Sequence, residues 1–147
     1  MKKIVITGGA GFIGSHMVRF LSKKYNKTKI YVIDKLTYAG RLQNIKPLLK
    51  SKRITFVKSD ICNLKLMKKI LTKTDILINA AAESHVDNSI GGPVDFIKSN
   101  FIGVLNQLEI LRSSPLKNNC LFHQISTDEV FGDLNLSDQS FTEDHPY

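Results

Sequence analysis

The stretch TGGAGFIGSH (residues 7–16) decides how this chain reads. Glycines stand at Gly8, Gly9, Gly11 and Gly14; Gly9–Gly14 fits G-x-G-x-x-G, and Gly8, Gly11 and Gly14 fit G-x-x-G-x-x-G. Glycine is wanted there for three reasons: a tight turn needs a positive φ, the backbone must approach a pyrophosphate, and a helix must pack closely on a strand. The helix N-terminus then offers free N–H groups and a favourable dipole to the phosphates. Alone the pattern is weak. Its setting strengthens it, because the apolar run Lys3–Thr7 precedes it and an amphipathic segment carrying Ile13, Met17, Phe20 and Leu21 comes after it.

Outward from this loop, short Ile- and Val-rich runs recur at Ile30–Asp34, Ile54–Val57, Ile76–Ile78 and Leu121–Ile125. They are nearly continuous in hydrophobicity, as strands are when both sheet faces are covered. Helical stripes separate them: first Leu42, Ile45, Leu48 and Leu49, then Leu64, Met67, Ile70 and Leu71. One long helix is expected from about Val94 to Arg112, with Val94, Ile97, Phe101, Val104, Leu108 and Leu111 on its stripe and Pro93 in its first turn. Phe96, Ile102 and Ile110 lie off that stripe and hint at a second buried face, as in a dimerisation helix. This alternation predicts an α/β fold: a doubly wound parallel sheet of the Rossmann type, with about five strands in the order 3-2-1-4-5. Ligands of such sheets sit at the carboxyl ends of the strands, by the switch point between strands one and four.

The 147 residues suffice for one domain with a sizeable core. No apolar run approaches the roughly 18–20 residues needed to span a bilayer. After MKK the apolar run is only Ile4-Val5-Ile6, too short for a secretory signal, so a cytoplasmic protein without a membrane partner is expected. Cys62 and Cys120 suit buried thiols better than a disulfide framework, and the four scattered histidines give no metal spacing, so no metal is expected. The net charge of +8 is spread over lysines on different elements, with no aromatic platform beside them. It reads as solvated loop ends and helix faces, and no nucleic-acid partner is expected.

The remaining polar signals fall at strand ends. Strand two ends at Asp34, 20 residues after Gly14, where an acid accepts hydrogen bonds from ribose hydroxyls and repels a 2′-phosphate. That favours NAD over NADP, although Lys35 and Arg41 keep NADP open; the plain alternative is a turn residue. Strand three ends in Ser59-Asp60-Ile61, where Asp60 could cap the next helix or meet an adenine. Strand four ends in Ala80-Ala81-Ala82, which makes room for something flat and large or merely packs a helix on the sheet. Strand five runs into QISTDEVFG (124–132), where Asp128 and Glu129 read as a helix-capping pair, a proton-transfer pair, or both. Adjacent side chains of a strand diverge. A turn capped by Thr127 would aim both carboxylates at one ligand.

Together TGGAGFIGSH, DKLTYAG (34–40), SDI (59–61), AAESHVD (81–87) and STDEVFG (126–132) resemble the N-terminal part of the dTDP-glucose 4,6-dehydratase family. These are extended short-chain dehydrogenases/reductases acting on nucleotide sugars. AAESHVD and STDEV are the specific motifs; the glycine loop and SDI occur across the superfamily. The resemblance implies a lyase with NAD as cofactor, in polysaccharide biosynthesis, homodimeric at full length. It implies that Gly8, Gly11, Phe12, Ile13 and Gly14 line the cofactor phosphates. Asp34, Lys35, Leu36, Thr37 and Gly40 would surround the adenosine ribose, and Asp60 and Ile61 the adenine. Ala80, Ala81 and Ala82 would pass the nicotinamide side, and Ser99 would stand near the cofactor where the family often has threonine. Ser84 and Thr127 would meet the sugar, with Asp128 as acid and Glu129 as base. Phe131 replaces the tyrosine usual in this motif.

The implied reaction explains the two carboxylates. Loss of hydride from sugar C4 leaves a ketone that acidifies the C5 proton. A base removes that proton while an acid protonates the leaving C6 hydroxyl, and the hydride returns at C6. Two close carboxylates favour opposite protonation states. The family's Tyr-x-x-x-Lys pair has only decoys here, Tyr25–Lys29 and Tyr31–Lys35, neither near strand five. Residues 1–147 are thus expected to be an incomplete NAD-binding domain, with the Tyr-x-x-x-Lys segment and the C-terminal sugar-nucleotide domain absent and little activity alone. A related UDP- or GDP-sugar dehydratase or epimerase, or a non-catalytic NAD-binding module, is the alternative.

Overall fold

The computed structural model describes residues 2–114 and 119–146. The apolar runs form five parallel strands: β1 (Lys3–Thr7), β2 (Lys29–Asp34), β3 (Ile54–Lys58), β4 (Ile76–Asn79) and β5 (Leu121–Gln124). They lie in the order β3-β2-β1-β4-β5, as expected. β1 is central, with Ile4 opposite Ile30 on one side and Ile76 on the other. The helices are α1 (Phe12–Lys24), α2 (Lys46–Lys50), α3 (Leu64–Leu71), α4 (Val86–Gly91), α5 (Pro93–Phe96) and α6 (Gly103–Ser113).

The period of two along each strand divides the core into two layers. Ile4, Ile6, Ile30, Val32 and Ile78 point to one face, where they meet Val18 of α1 and Ile45 before α2. Val5, Ile33 and Leu77 point to the other, where Met67, Ile70 and Leu71 of α3 and Ile110 and Leu111 of α6 cover them. Each fully buried Val or Ile contributes about 1.5–3 kcal/mol relative to exposure. Because the strands are parallel, all of them end at the same edge, and the loops after β1, β2, β3 and β4 crowd over it.

Several expectations need correction. The stripe on α1 is displaced: Ile13 and Phe20 are exposed, while Gly14, Ser15, Val18 and Ser22 are buried. The cause is close approach, since a Cβ on Gly14 would overlap the Gly8 carbonyl, and a helix held that near the sheet presents its small residues. The long helix is one rod, but not a plain α-helix. Between α5 and α6 the turn Ile97–Ile102 is a π-helix. Its extra residue rotates the rest of the rod, so α6 buries Gly103, Gln107, Ile110 and Leu111 while Val94, Ile97, Phe101 and Leu108 stay exposed. The second stripe breaks into a 3-10 turn (Leu42–Asn44) and the short α2, with Pro47 in its first turn. Cys62 and Cys120 are partly exposed free thiols rather than buried ones.

Candidate functional site

The loops at the carboxyl edge enclose a cleft of about 380 Å³ over β1, at the switch point between β1 and β4. Its floor is the glycine loop. Gly8 has φ +68, a left-handed conformation, and its N–H donates to the Ile33 carbonyl at 2.8 Å. A Cβ there would also overlap the Ala80–Ala81 peptide. Gly8 thus needs to be glycine for both reasons, turn and close approach. Gly11 is the N-cap of α1, with no side chain over the helix end, so the first N–H groups of a 13-residue helix face the cleft. This cradle of bare backbone and helix dipole fits a pyrophosphate.

The wall beyond β2 is built on Asp34, only 8% exposed. One carboxylate oxygen accepts from the Ala10 N–H at 2.9 Å and the other from the Leu36 N–H at 2.8 Å. Each oxygen keeps a further acceptor position, available to a diol. Gly40 lies against this carboxylate, where a Cβ would come within 2.5 Å of Asp34 Oδ1. Leu36 takes a left-handed φ of 61 and packs into the core, so it does not line the cleft. Lys35 instead reaches Asp60 at 2.8 Å. Partial burial works against ionisation of Asp60, but the Lys35 ammonium and the Cys62 N–H together hold its carboxyl below the ordinary value. Asp60 does not cap α3; Asn63 does, accepting from the Leu66 N–H at 3.2 Å. Asp60 and Ile61 line the cleft.

The opposite wall is Ala80-Ala81-Ala82, then Glu83 and Ser84. Beneath it lies a buried polar cluster. The Asn79 Oδ1 accepts from the Thr7 hydroxyl and from the Gln107 amide at 3.0 Å, and the Asn79 amide donates to Gln124 at 2.9 Å. Asn79, Thr7 and Gln107 are all fully buried. The cluster ties the ends of β1, β4 and β5 to α6. The π turn above it brings Ser99 into the cleft and Asn100 onto the loop after β4. Asn100 clamps that loop by its whole amide: it accepts from the Glu83 N–H at 2.9 Å and donates to the Glu83 carbonyl at 2.8 Å. A π turn at a ligand-facing position is a common device.

Past β5, Ser126 and Thr127 reach the cleft. Asp128–Phe131 is a single 3-10 turn, and Thr127 precedes it in extended conformation. Thr127 makes no side-chain cap bond, against expectation. The neighbouring Thr127 hydroxyl favours the ionised form of Glu129 and so holds its carboxyl below its ordinary value. Successive residues of a 3-10 turn stand about 120° apart rather than opposed. Asp128 and Glu129 are exposed on the rim and do not line the cleft.

Gly8, Gly11, Phe12, Ile13, Gly14, Asp34, Lys35, Thr37, Gly40, Asp60, Ile61, Ala80, Ala81, Ala82, Ser84, Ser99 and Thr127 therefore share one cleft; Leu36, Asp128 and Glu129 stand outside it. Sequence reasoning missed Asn79, Gln107, Asn100 and the Tyr38–Glu83 contact. Buried polar residues amid apolar runs, Asn79 and Gln107, were the available signal for the first two. Among the described residues no helix is long and apolar enough to cross a membrane.

The family model described as GDP-mannose 4,6 dehydratase matches residues 5–147. A dTDP-glucose 4,6-dehydratase of Haemophilus influenzae is 42% identical over 157 residues, covering 100% of this chain and 46% of the relative. The dTDP-glucose 4,6-dehydratase of Bacillus anthracis, solved in complex with NAD, superposes with a TM-score of 0.83 at 35% identity, over 99% of this chain and 44% of that one. A UDP-Glc/GlcNAc 4-epimerase of Campylobacter jejuni gives a TM-score of 0.84 at 26% identity, over 99% and 43%. The chain thus spans less than half the length of the proteins it matches. It belongs to the GDP-mannose 4,6 dehydratase family, and the curated proteins it resembles are dTDP-glucose 4,6-dehydratases.

Proposed function

We propose that the cleft binds NAD and that these residues are the cofactor-binding part of a dTDP-glucose 4,6-dehydratase. One observation carries the reading: the bare glycine cradle and the buried Asp34 carboxylate open into the same cleft as Thr127, across the switch point of the sheet. The cradle takes the pyrophosphate, Asp34 the adenosine ribose hydroxyls, and Asp60 with Ile61 the adenine. The alanine wall and Ser99 flank the nicotinamide side. NAD, when bound, supplies a hydride acceptor that returns the hydride before the cycle ends.

Ser84 and Thr127 meet the sugar. Glu129, held ionised by the Thr127 hydroxyl, takes the C5 proton, and Asp128 delivers a proton to the departing C6 hydroxyl. The tyrosine–lysine pair and the sugar-nucleotide domain belong to a protein of the relatives' length. That protein acts on a nucleotide sugar in polysaccharide biosynthesis, in the cytoplasm, where free thiols such as Cys62 and Cys120 persist. It pairs with a second copy through the exposed apolar row Ile90, Val94, Ile97, Phe101 and Leu108.

Calorimetric titration tests the cofactor. Saturable binding of NAD, and weaker binding of NADP, is expected; a folded sample that binds neither, or prefers NADP, would overturn the reading. The chemistry is tested at full length. There Glu129→Gln stops dehydration and leaves NAD binding intact, and surviving dehydration would put the base elsewhere. The epimerase alternative has no use for an acid–base pair beside the cleft.

A further inference from the structure

We propose that Tyr38 and Glu83 form a latch across the mouth of the cleft, which must open each time a dinucleotide enters or leaves. The inference rests on the proposed binding of NAD and concerns rates rather than affinity. Thr37 and Ala39, the chain neighbours of Tyr38, line one wall of the cleft, and Glu83 lines the opposite wall. The Tyr38 hydroxyl donates to Glu83 Oε2 at 3.1 Å, joining the two walls across 45 residues of sequence. The Tyr38 ring also lies 5.6 Å from the His85 ring, tilted by 59°.

The two sides of the latch differ in how firmly they are held. Glu83 is fixed through its own backbone by both ends of the Asn100 amide. Tyr38 is 50% exposed and sits in the segment 35–41, which has no helix or strand. The moving part is therefore the Tyr38 side. Burial, then the bond to Glu83, raises the pKa of the phenol, so it stays a donor throughout the neutral range. Retention suits the proposed chemistry, in which the cofactor ends every cycle in the form in which it began.

The Tyr38–Glu83 bond holds the two walls of the cleft together. Loosening it removes an obstacle to entry as well as to exit, so both rates rise and their ratio changes little; a contact stabilising only the bound state would change the ratio instead. Stopped-flow fluorescence of NADH with this chain reads both rates. Tyr38→Phe deletes one exposed oxygen and keeps the ring. It should raise association and dissociation together by about two- to fivefold, the worth of one partly exposed hydrogen bond. Glu83→Ala should do the same, and the double variant should be no faster than either single one. Unchanged rates in both variants would sink the latch. Faster dissociation alone, with a matching loss of affinity, would also sink it and make Tyr38 a direct ligand contact. If the folded parent binds no NADH, the cofactor reading falls and takes the latch with it.

Discussion

The two ends of the cleft are built on opposite principles. At the glycine loop, conformation and packing are over-determined: Gly9, Ala10 and Gly14 are buried, Gly8 meets the Ala80–Ala81 peptide, and Gly14 meets Gly8. At the turn after β5 almost nothing is buried. Gly132 also has a positive φ, +91, yet a Cβ there would meet nothing within 4 Å. One end holds a ligand by shape, which needs close backbone placement. Under the proposed function the other would offer side chains for proton transfer, which tolerates exposure as long as the turn aims them. Binding can be read from what the backbone cannot give up, whereas chemistry must be read from what the side chains can donate.

The sharpest way to break this contrast is one substitution at each end. Gly8→Ala combines a left-handed backbone with an overlap against peptide atoms, and should cost about 3–5 kcal/mol by chemical denaturation. Gly132→Ala should cost only about 1–3 kcal/mol, the conformational part alone, since φ 91 with ψ −158 is a backbone region almost reserved for glycine. Equal costs would abolish the distinction. Next in size is the polar cluster that spans both ends. Asn79→Ala leaves the buried Thr7 hydroxyl without its partner and takes one of two acceptors from the Gln107 amide, which keeps the Gly103 carbonyl, and should lower stability by about 1–3 kcal/mol in the same assay.

Smaller still is the Lys35–Asp60 pair. The Asp60 pKa is depressed in the folded chain, so its contribution is fully present above the ordinary value of 3.8 and fades as pH falls through the lowered one. Asp60→Asn should cost no more than about 1 kcal/mol near neutrality, because both partners are partly exposed. The gap in melting temperature between parent and variant should close below pH 3.8. A gap that widened in acid would contradict this sign. The smallest effect is expected at the rim: Glu129→Gln should shift stability by under about 0.5 kcal/mol, since the side chain is exposed. A larger loss would make Glu129 a structural residue.

The fold was legible because two periods dominate it. Near-continuous Ile and Val runs gave five strands to within a residue or so at their ends, and the glycine loop gave the position of the cleft. The features that stayed hidden depend on tertiary distance. Nothing local marks the π turn at Ile97–Ile102, and its extra residue turned a good stripe into an exposed face. Phe20 looked like core because close packing through Gly14 and Ser15 was not visible in a hydrophobic count. Asn100 meets Glu83, and Tyr38 meets Glu83, only because separate loops converge at one sheet edge. The carboxylate pair was legible as residues but not as geometry, since Thr127 does not cap the turn and both carboxylates stand on the rim.

The strand order has a consequence for how the chain assembles. β1 is the first of the five strands to leave the ribosome, yet Ile4 finds its partner Ile76 only 72 residues later. β2 can close its other side early, so a nascent chain carries a half-paired central strand with one bare, strongly apolar edge. Non-local pairing of this kind slows folding, and an uncovered strand edge invites pairing with another chain. The hazard ends when β4 slots in beside β1 and Asn79 takes its place between Thr7 and Gln124. The residue that ties β1, β4 and β5 together beneath the alanine wall is also the one whose arrival closes the sheet.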